Sequence, residues 1–141
     1  MRKGIFAVLP SLFLALYLMS CAGGSQLAVA DATATPKPVA PGKNVTLHVA
    51  LKGPTKNVDR VETTVREYPD FRGQLANDGQ NGDTTAGDNI WSTSFQVPWD
   101  APAGTYHVDV SVYDTDGNEV VTKALENQWT GKSASIEIVV Q

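Results

Sequence analysis

The chain's 141 residues suit a single domain, and a formal net charge of −4 argues against non-specific nucleic-acid binding, which needs a basic face. One cysteine excludes an intrachain disulfide framework, a four-cysteine zinc site and, with no C-x-x-C-H run, covalent c-type haem. Two histidines, His48 and His107, leave little material for a metal or catalytic centre built on imidazole. In chain order, residues 1–20 read first as an export signal. Arg2 and Lys3 make a charged start, and Ile5 to Met19 an apolar stretch broken only by Pro10 and Ser11. That stretch is shorter than the about 20 residues that span a bilayer core. A charged start, a short apolar middle and a small-residue end are the parts of a secretory signal.

Leu18-Met19-Ser20-Cys21 resembles a bacterial lipobox, with Leu at −3, Ser at −1 and Cys at +1. The resemblance covers the signal and its cleavage site. It implies that the Cys21 thiol is alkylated with a diacylglyceryl group, that the chain is cleaved before Cys21, and that the new N-terminus is acylated. Cys21 is then an anchor and not a nucleophile, and its first partner is the membrane. Several acyl chains anchor stably, at about 0.8 kcal/mol per buried CH₂, where one chain is marginal. In the Gram-negative sorting rule an Asp after the cysteine retains a lipoprotein at the inner membrane. Ala22 stands there, so the resemblance implies the outer membrane where the organism has one. Loss of residues 1–20 removes Arg2 and Lys3 and no acid. It leaves 9 Lys+Arg against 15 Asp+Glu, a formal −6.

Residues 21–42, after Cys21 itself, are dominated by Ala, Gly, Thr and Pro. Such a stretch buries too little apolar surface to offset its ordering entropy, so it reads as a flexible tether between lipid and domain, about 25 Å in reach. A second reading lays Pro38 to Gly42 along the edge of the first strand. From Lys43 to Gln141 the texture is β. Val45, Leu47, Val49 and Leu51 alternate with polar residues, a half-buried strand. Val61, Thr63 and Val65 line one face of the next, over about Val58 to Glu67. Trp91, Thr93, Phe95 and Val97 share a face against Ser92, Ser94 and Gln96. Tyr106, Val108, Val110 and Val112 alternate with His107, Asp109 and Ser111, and Ile136, Ile138 and Val140 close the chain. The stretch from Val120 to Trp129 begins as strand, with a turn of helix open at Ala124-Leu125-Glu126. Turn signals stand at Gly53-Pro54, Pro69-Asp70, Pro102-Ala103-Gly104 and Asp116-Gly117-Asn118. The expectation is an all-β, single antiparallel sandwich of six to eight strands over residues 43–141.

Two stretches carry a second resemblance. Pro102 to Val110, followed by Asp114-Thr115-Asp116-Gly117-Asn118, resembles the late strands of bacterial immunoglobulin-like and fibronectin type III-like domains. There a Gly-Thr-Tyr opens a strand and its tyrosine pins a corner between the sheets; Tyr106 holds that place. Asn77 to Ser92 is similar to the Asp-Asp-Gly-x-x-Gly-Asp-x-x-Ala-Gly-Asp-Gly loop of extracellular bacterial immunoglobulin-like domains. Asn77 departs from the loop's first Asp, and Asn89 from the Gly after its last. The second departure is tolerable because Asn accepts positive φ. The resemblance implies an immunoglobulin-like domain and names no ligand.

The loop is open to two readings. Asp78, Asp83 and Asp88 recur every five residues beside glycines, with Asn81 between them. Calcium takes six to eight oxygens from carboxylates, amides and carbonyls, so Asp78, Asn81, Asp83 and Asp88 form a candidate calcium set. Asp, Asn and Gly are equally the residues of self-bonded turns with no ion present. Among the aromatics, Trp91 is in phase with the core, Trp99 sits in a turn, and Trp129, in a polar run, is the candidate ligand contact. Neither His48 nor His107 stands in a catalytic motif, no carboxylate pair stands out, and no Gly-rich loop leads into a helix. The resulting expectation is a non-enzymatic, lipid-anchored envelope protein with a structural or adhesive role. The alternative is a small glycan- or peptide-binding accessory module of a larger envelope or secretion complex. The partners expected are the membrane and an envelope protein or glycan.

Overall fold

A computed structural model describes residues 27–120, 122–123, 129–130 and 134–141. The signal, Cys21 and the first tether residues lie outside them, as does the Ala124-Leu125-Glu126 segment. The described residues form nine strands: β1 (Ala28–Thr35), β2 (Asn44–Lys52), β3 (Val58–Val65), β4 (Tyr68–Leu75), β5 (Ile90–Gln96), β6 (Gly104–Asp114), the short β7 (Thr122–Lys123) and β8 (Trp129–Thr130), and β9 (Ala134–Val140). They build two sheets, ordered β5-β2-β1-β7-β8 and β4-β3-β6-β9. Among the described residues the strand pairings are antiparallel except the β1–β7 contact at Ala28 and Lys123, and Val39 adds a parallel bridge to Val140 of β9. The seven longer strands make the expected all-β sandwich of the immunoglobulin-like kind, three strands facing four.

The core follows from the period-two pattern. Val45, Leu47, Val49 and Leu51 of β2 meet Val108, Val110 and Val112 of β6, Val61 of β3, and Ile136, Ile138 and Val140 of β9. Each of these alternates with outward residues, so each strand contributes one face to a shared interior. Tyr106 makes the expected corner: its hydroxyl donates to the carbonyl of Pro102 at 2.6 Å, tying the start of β6 to the preceding loop. Beside it, burial and then the neighbouring Tyr68 and Glu67 push the phenol above its ordinary range.

Three expectations need correction. The tether does not extend to residue 42. Ala28–Thr35 is a strand, paired residue by residue with β2, from Ala28 against Lys52 to Thr35 against Thr46. Its alanines and threonines bury little alone, but Ala32 and Ala34 pack on a core built by other strands. Beyond Thr35 the chain crosses to the other sheet. Val39, 2% exposed, donates to Val139 O and accepts from Gln141 N, alongside β9. Pro38 to Gly42 is therefore neither free tether nor laid along the first strand of the alternating pattern, since Val39 lies along the last strand, β9. The sandwich includes Ala28–Thr35.

The second correction concerns Pro69-Asp70, which lies inside β4 and not at a turn. The β3–β4 turn is Arg66-Glu67, three residues earlier. Proline is tolerated because β4 is the edge of its sheet, where a missing N–H costs no ladder bond. The third concerns β5. Ser92, expected on the water face, is 1% exposed, while Trp91 and Phe95 are only partly buried. The long loop between β4 and β5 folds over the outer face of β2 and β5 and covers Ser92. Its Gly82 lies so close to Thr46 that a Cβ there would sit 2.7 Å from Thr46 Cγ2.

Candidate functional site

Two regions offer chemistry, and the acidic loop is the first. Asp78 accepts from the N–H of Gln80 at 3.0 Å, and Asp88 from that of Ile90 at 2.9 Å. Both are Asx turns, a side chain bonding its own backbone two residues on. Asp83 is 6% exposed and works over a longer span. Its Oδ2 accepts from Gly79 N–H at 2.6 Å, and its Oδ1 from Thr85 N–H at 3.3 Å. Asn77 Oδ1 accepts from Gly87 N–H at 2.8 Å, which closes the loop's base. Asn81 and Asn89 take left-handed backbones, φ 53° and 65°. The Asn89 amide oxygen also accepts from the Thr55 hydroxyl at 2.8 Å, so the last departure from the resembled loop is spent on an anchor. Asp78, Asp83 and Asp88 are thus each directed to a separate stretch of backbone. Among the described residues no three of His, Cys, Asp and Glu gather as a metal-binding group.

The second region was not visible from the sequence. At the end of the sandwich where β5 stops and β6 starts, a groove of about 280 Å³ opens between the sheets. Tyr68 and Phe71 of β4 form one wall, Phe95 and Val97 of β5 the other, and Tyr106 and Ile138 the floor. The Tyr68 and Tyr106 rings stand 5.9 Å apart, inclined at 38°. Phe71 shares the inward face of β4 with Gly73 and the buried Leu75, yet it is 52% exposed. The cause lies in the edges. β4 and β5 are joined at Ala76 and Ser92, which exchange two backbone bonds of 2.8 Å. Toward Tyr68 and Phe71 no described strand bridges the two sheets, and Gly73 contributes no side chain to fill the gap. Asp100 stands at the rim, its carboxylate exposed and without a hydrogen-bond partner among the described residues.

Trp99 stands in the same end loop and is 75% exposed, the most exposed large apolar side chain among those described. Its ring lies against Gly42, where a Cβ would be 2.4 Å from Trp99 Cε3. It therefore presents one face to water rather than sealing the end. Of Trp129, the backbone forms β8 against β7, and the side chain lies outside the description.

The histidines are held in pairs. His48 Nδ1 and Ser92 Oγ are 2.8 Å apart, but that hydroxyl is 1% exposed and out of a substrate's reach. His107 holds Glu67 through Nδ1 at 2.7 Å and through its backbone N–H at 2.9 Å. Those two bonds hold the Glu67 carboxyl below its ordinary range. Beside them Arg66 forks onto the buried carboxylate of Asp109, which raises the guanidinium further. Both pairs tie the β3–β4 turn to β6 on the outer face, away from the groove's lining.

The groove and the chain's entry lie at opposite ends. Ala28 sits beside Lys52, and Ala50 beside Ile90, at one end; Thr46 pairs Thr35 and Asn44 pairs Gln96 at the other. The nine residues of β2 separate them by about 30 Å.

No protein-family model matches the chain, and no curated protein matches it. Several solved structures resemble it distantly, and two serve as examples. One is an alkylpurine DNA glycosylase, AlkC, of Pseudomonas fluorescens, bound to DNA containing an abasic site analogue. It is 12% identical at a TM-score of 0.45, over 84% of this chain and 31% of that one. The other is an endo-β-1,4-mannanase of Thermotoga petrophila. It is 14% identical at a TM-score of 0.46, over 79% of this chain and 20% of that one. The chain spans less than a third of either.

Proposed function

We propose that this protein is a non-enzymatic, lipid-anchored component of the bacterial cell envelope whose immunoglobulin-like domain has an adhesive role. The observation that carries the reading is the opposition of the two ends. Cys21, in its lipobox-like setting, precedes β1 by seven residues, which reach at most about 25 Å when extended. An acyl anchor there would hold the β1 end near the lipid surface, and the aromatic groove and Trp99 would face away from it. An open apolar groove with exposed aromatic walls is the kind of surface that serves recognition. A non-enzymatic role is supported by the paired, outward histidines and by carboxylates spent on backbone N–H groups.

Radiolabelled palmitate and membrane fractionation test the anchor. The wild-type chain should incorporate label and partition with membranes, and Cys21→Ser should do neither. A C21S chain that stays membrane-bound and labelled would overturn the lipid-anchored reading.

A further inference from the structure

The edge of β5 shows what kind of partner suits the groove. Val97 N–H bonds Lys43 O at 2.9 Å and Leu51 N–H bonds Asn89 O at 2.9 Å, so β2 takes the backbone groups of the odd-numbered residues of β5. Antiparallel pairing alternates, so the even-numbered residues point their N–H and C=O away from β2. Ser92 confirms this by bonding Ala76 on that side. The next two, Ser94 and Gln96, are exposed, and their outward backbone groups have no backbone partner among the described residues. This free edge runs alongside the groove. The intervening Phe95 points into the groove, opposite Phe71.

We propose that an extended peptide segment of a partner protein adds to the β5 edge at Ser94–Gln96, seating alternate apolar side chains between Phe71 and Phe95 and a cationic side chain beside Asp100. Strand addition draws affinity from the edge's main-chain bonds and specificity from the pockets beside it. A peptide suits the site better than a glycan does. Four of the six wall and floor residues, Phe71, Phe95, Val97 and Ile138, carry no polar group, and the Tyr106 hydroxyl is already bonded to Pro102, which leaves the Tyr68 hydroxyl alone among the six. A sugar's several hydroxyls would therefore be stripped of water with one phenol to replace it. A cation is favoured by the unpaired Asp100 and by the acidic balance of the chain. The proposal rests on the adhesive reading above and deepens it. It does not depend on the anchor, so the C21S experiment and the one below can fail separately.

The test uses the full chain in lipid nanodiscs and fluorescein-labelled nonapeptides that alternate Val with Thr and end in either Lys or Glu. Anisotropy should rise with the Lys peptide and respond several-fold less to the Glu peptide. Ser94→Pro removes an outward N–H and leaves the β2 ladder intact, and it should weaken binding at least tenfold. Phe71→Ala should do the same, and Asp100→Asn should erase the preference for Lys. Melting curves establish that each variant is folded, and Asp100→Asn on the rim covers the case in which Ser94→Pro is not. Equal binding by Ser94→Pro and wild type would overturn the proposal. So would saturable binding of mannan or chitin oligosaccharides in place of peptide. A chain-to-chain dimer abolished by Ser94→Pro, with no peptide bound, would reassign the edge to a second copy and overturn the proposal as stated.

Discussion

Asp83→Ala tests whether the long loop is held by its own hydrogen bonds or by a cation. The Asp83 carboxylate, 6% exposed, is the acceptor for Gly79 N–H at 2.6 Å and Thr85 N–H at 3.3 Å. A hydrogen bond to a charged acceptor contributes about 1.5–3 kcal/mol. The short bond dominates and the long one adds a fraction, so Asp83→Ala should cost about 2–3 kcal/mol. Asp83→Asn keeps one oxygen and should cost about 1 kcal/mol. For a domain of this size a loss of 2 kcal/mol lowers Tm by roughly 10 °C. Urea denaturation followed by tryptophan fluorescence measures the free energies, and calorimetry the midpoints. Wild type should melt at the same temperature in EDTA and in millimolar calcium, because anything that binds only the folded state must raise the midpoint. The reasoning fails if Asp83→Ala lies within 0.5 kcal/mol of wild type. It also fails if calcium raises the wild-type midpoint and Asp83→Ala abolishes the rise, which would restore the calcium set of Asp78, Asn81, Asp83 and Asp88.

Two further outcomes follow from the same geometry. His107 depresses the Glu67 carboxyl, first through its side chain and then through its N–H; Asn118, chiefly through its N–H, depresses Asp114. A depressed carboxylate contributes stability that is present above its unfolded value and lost as pH falls through the folded one. The urea midpoint should therefore hold above pH 4.5 and decline below it, and Glu67→Gln with Asp114→Asn should flatten that decline. An unaltered acid limb in the double variant would remove these groups from the account. Gly42→Ala puts a Cβ 2.4 Å from the Trp99 ring at φ +74°. The backbone alone costs about 1–2 kcal/mol. The ring must also move, so both the urea midpoint and the emission of Trp99 should shift, and neither shifts if the stacking is incidental.

Much of the sandwich was legible because strands announce themselves locally. The alternations at Val45–Leu51, Tyr106–Val112 and Ile136–Val140 record which face of each strand is apolar, and that periodicity survives in any surroundings. The corner at Tyr106 was legible for a similar reason, since its partner, Pro102, lies four residues away. The turn chemistry of Asn77–Asn89 was likewise written in Asp, Asn and Gly. The sequence left open whether a cation sits among them, because self-bonded turns and calcium loops use the same residues.

Other features depend on what lies opposite a residue in space. Ala28–Thr35 resembles a linker in composition, and becomes a strand only because β2 offers a paired edge and the other strands a core. Ser92 is polar and in the outward phase, and is buried because a loop from elsewhere in the chain lies over it. Phe71 is apolar and in the inward phase, and remains half in water because no described strand spans from β4 to β5 at that end. The sequence by itself determined β2, β3, β6 and β9 and their apolar faces, since side-chain direction alternates within one strand whatever its neighbours. The tertiary structure alone decided which of those faces were covered, and so where the groove and the free edge of β5 lie, because burial is set by the partner across the gap.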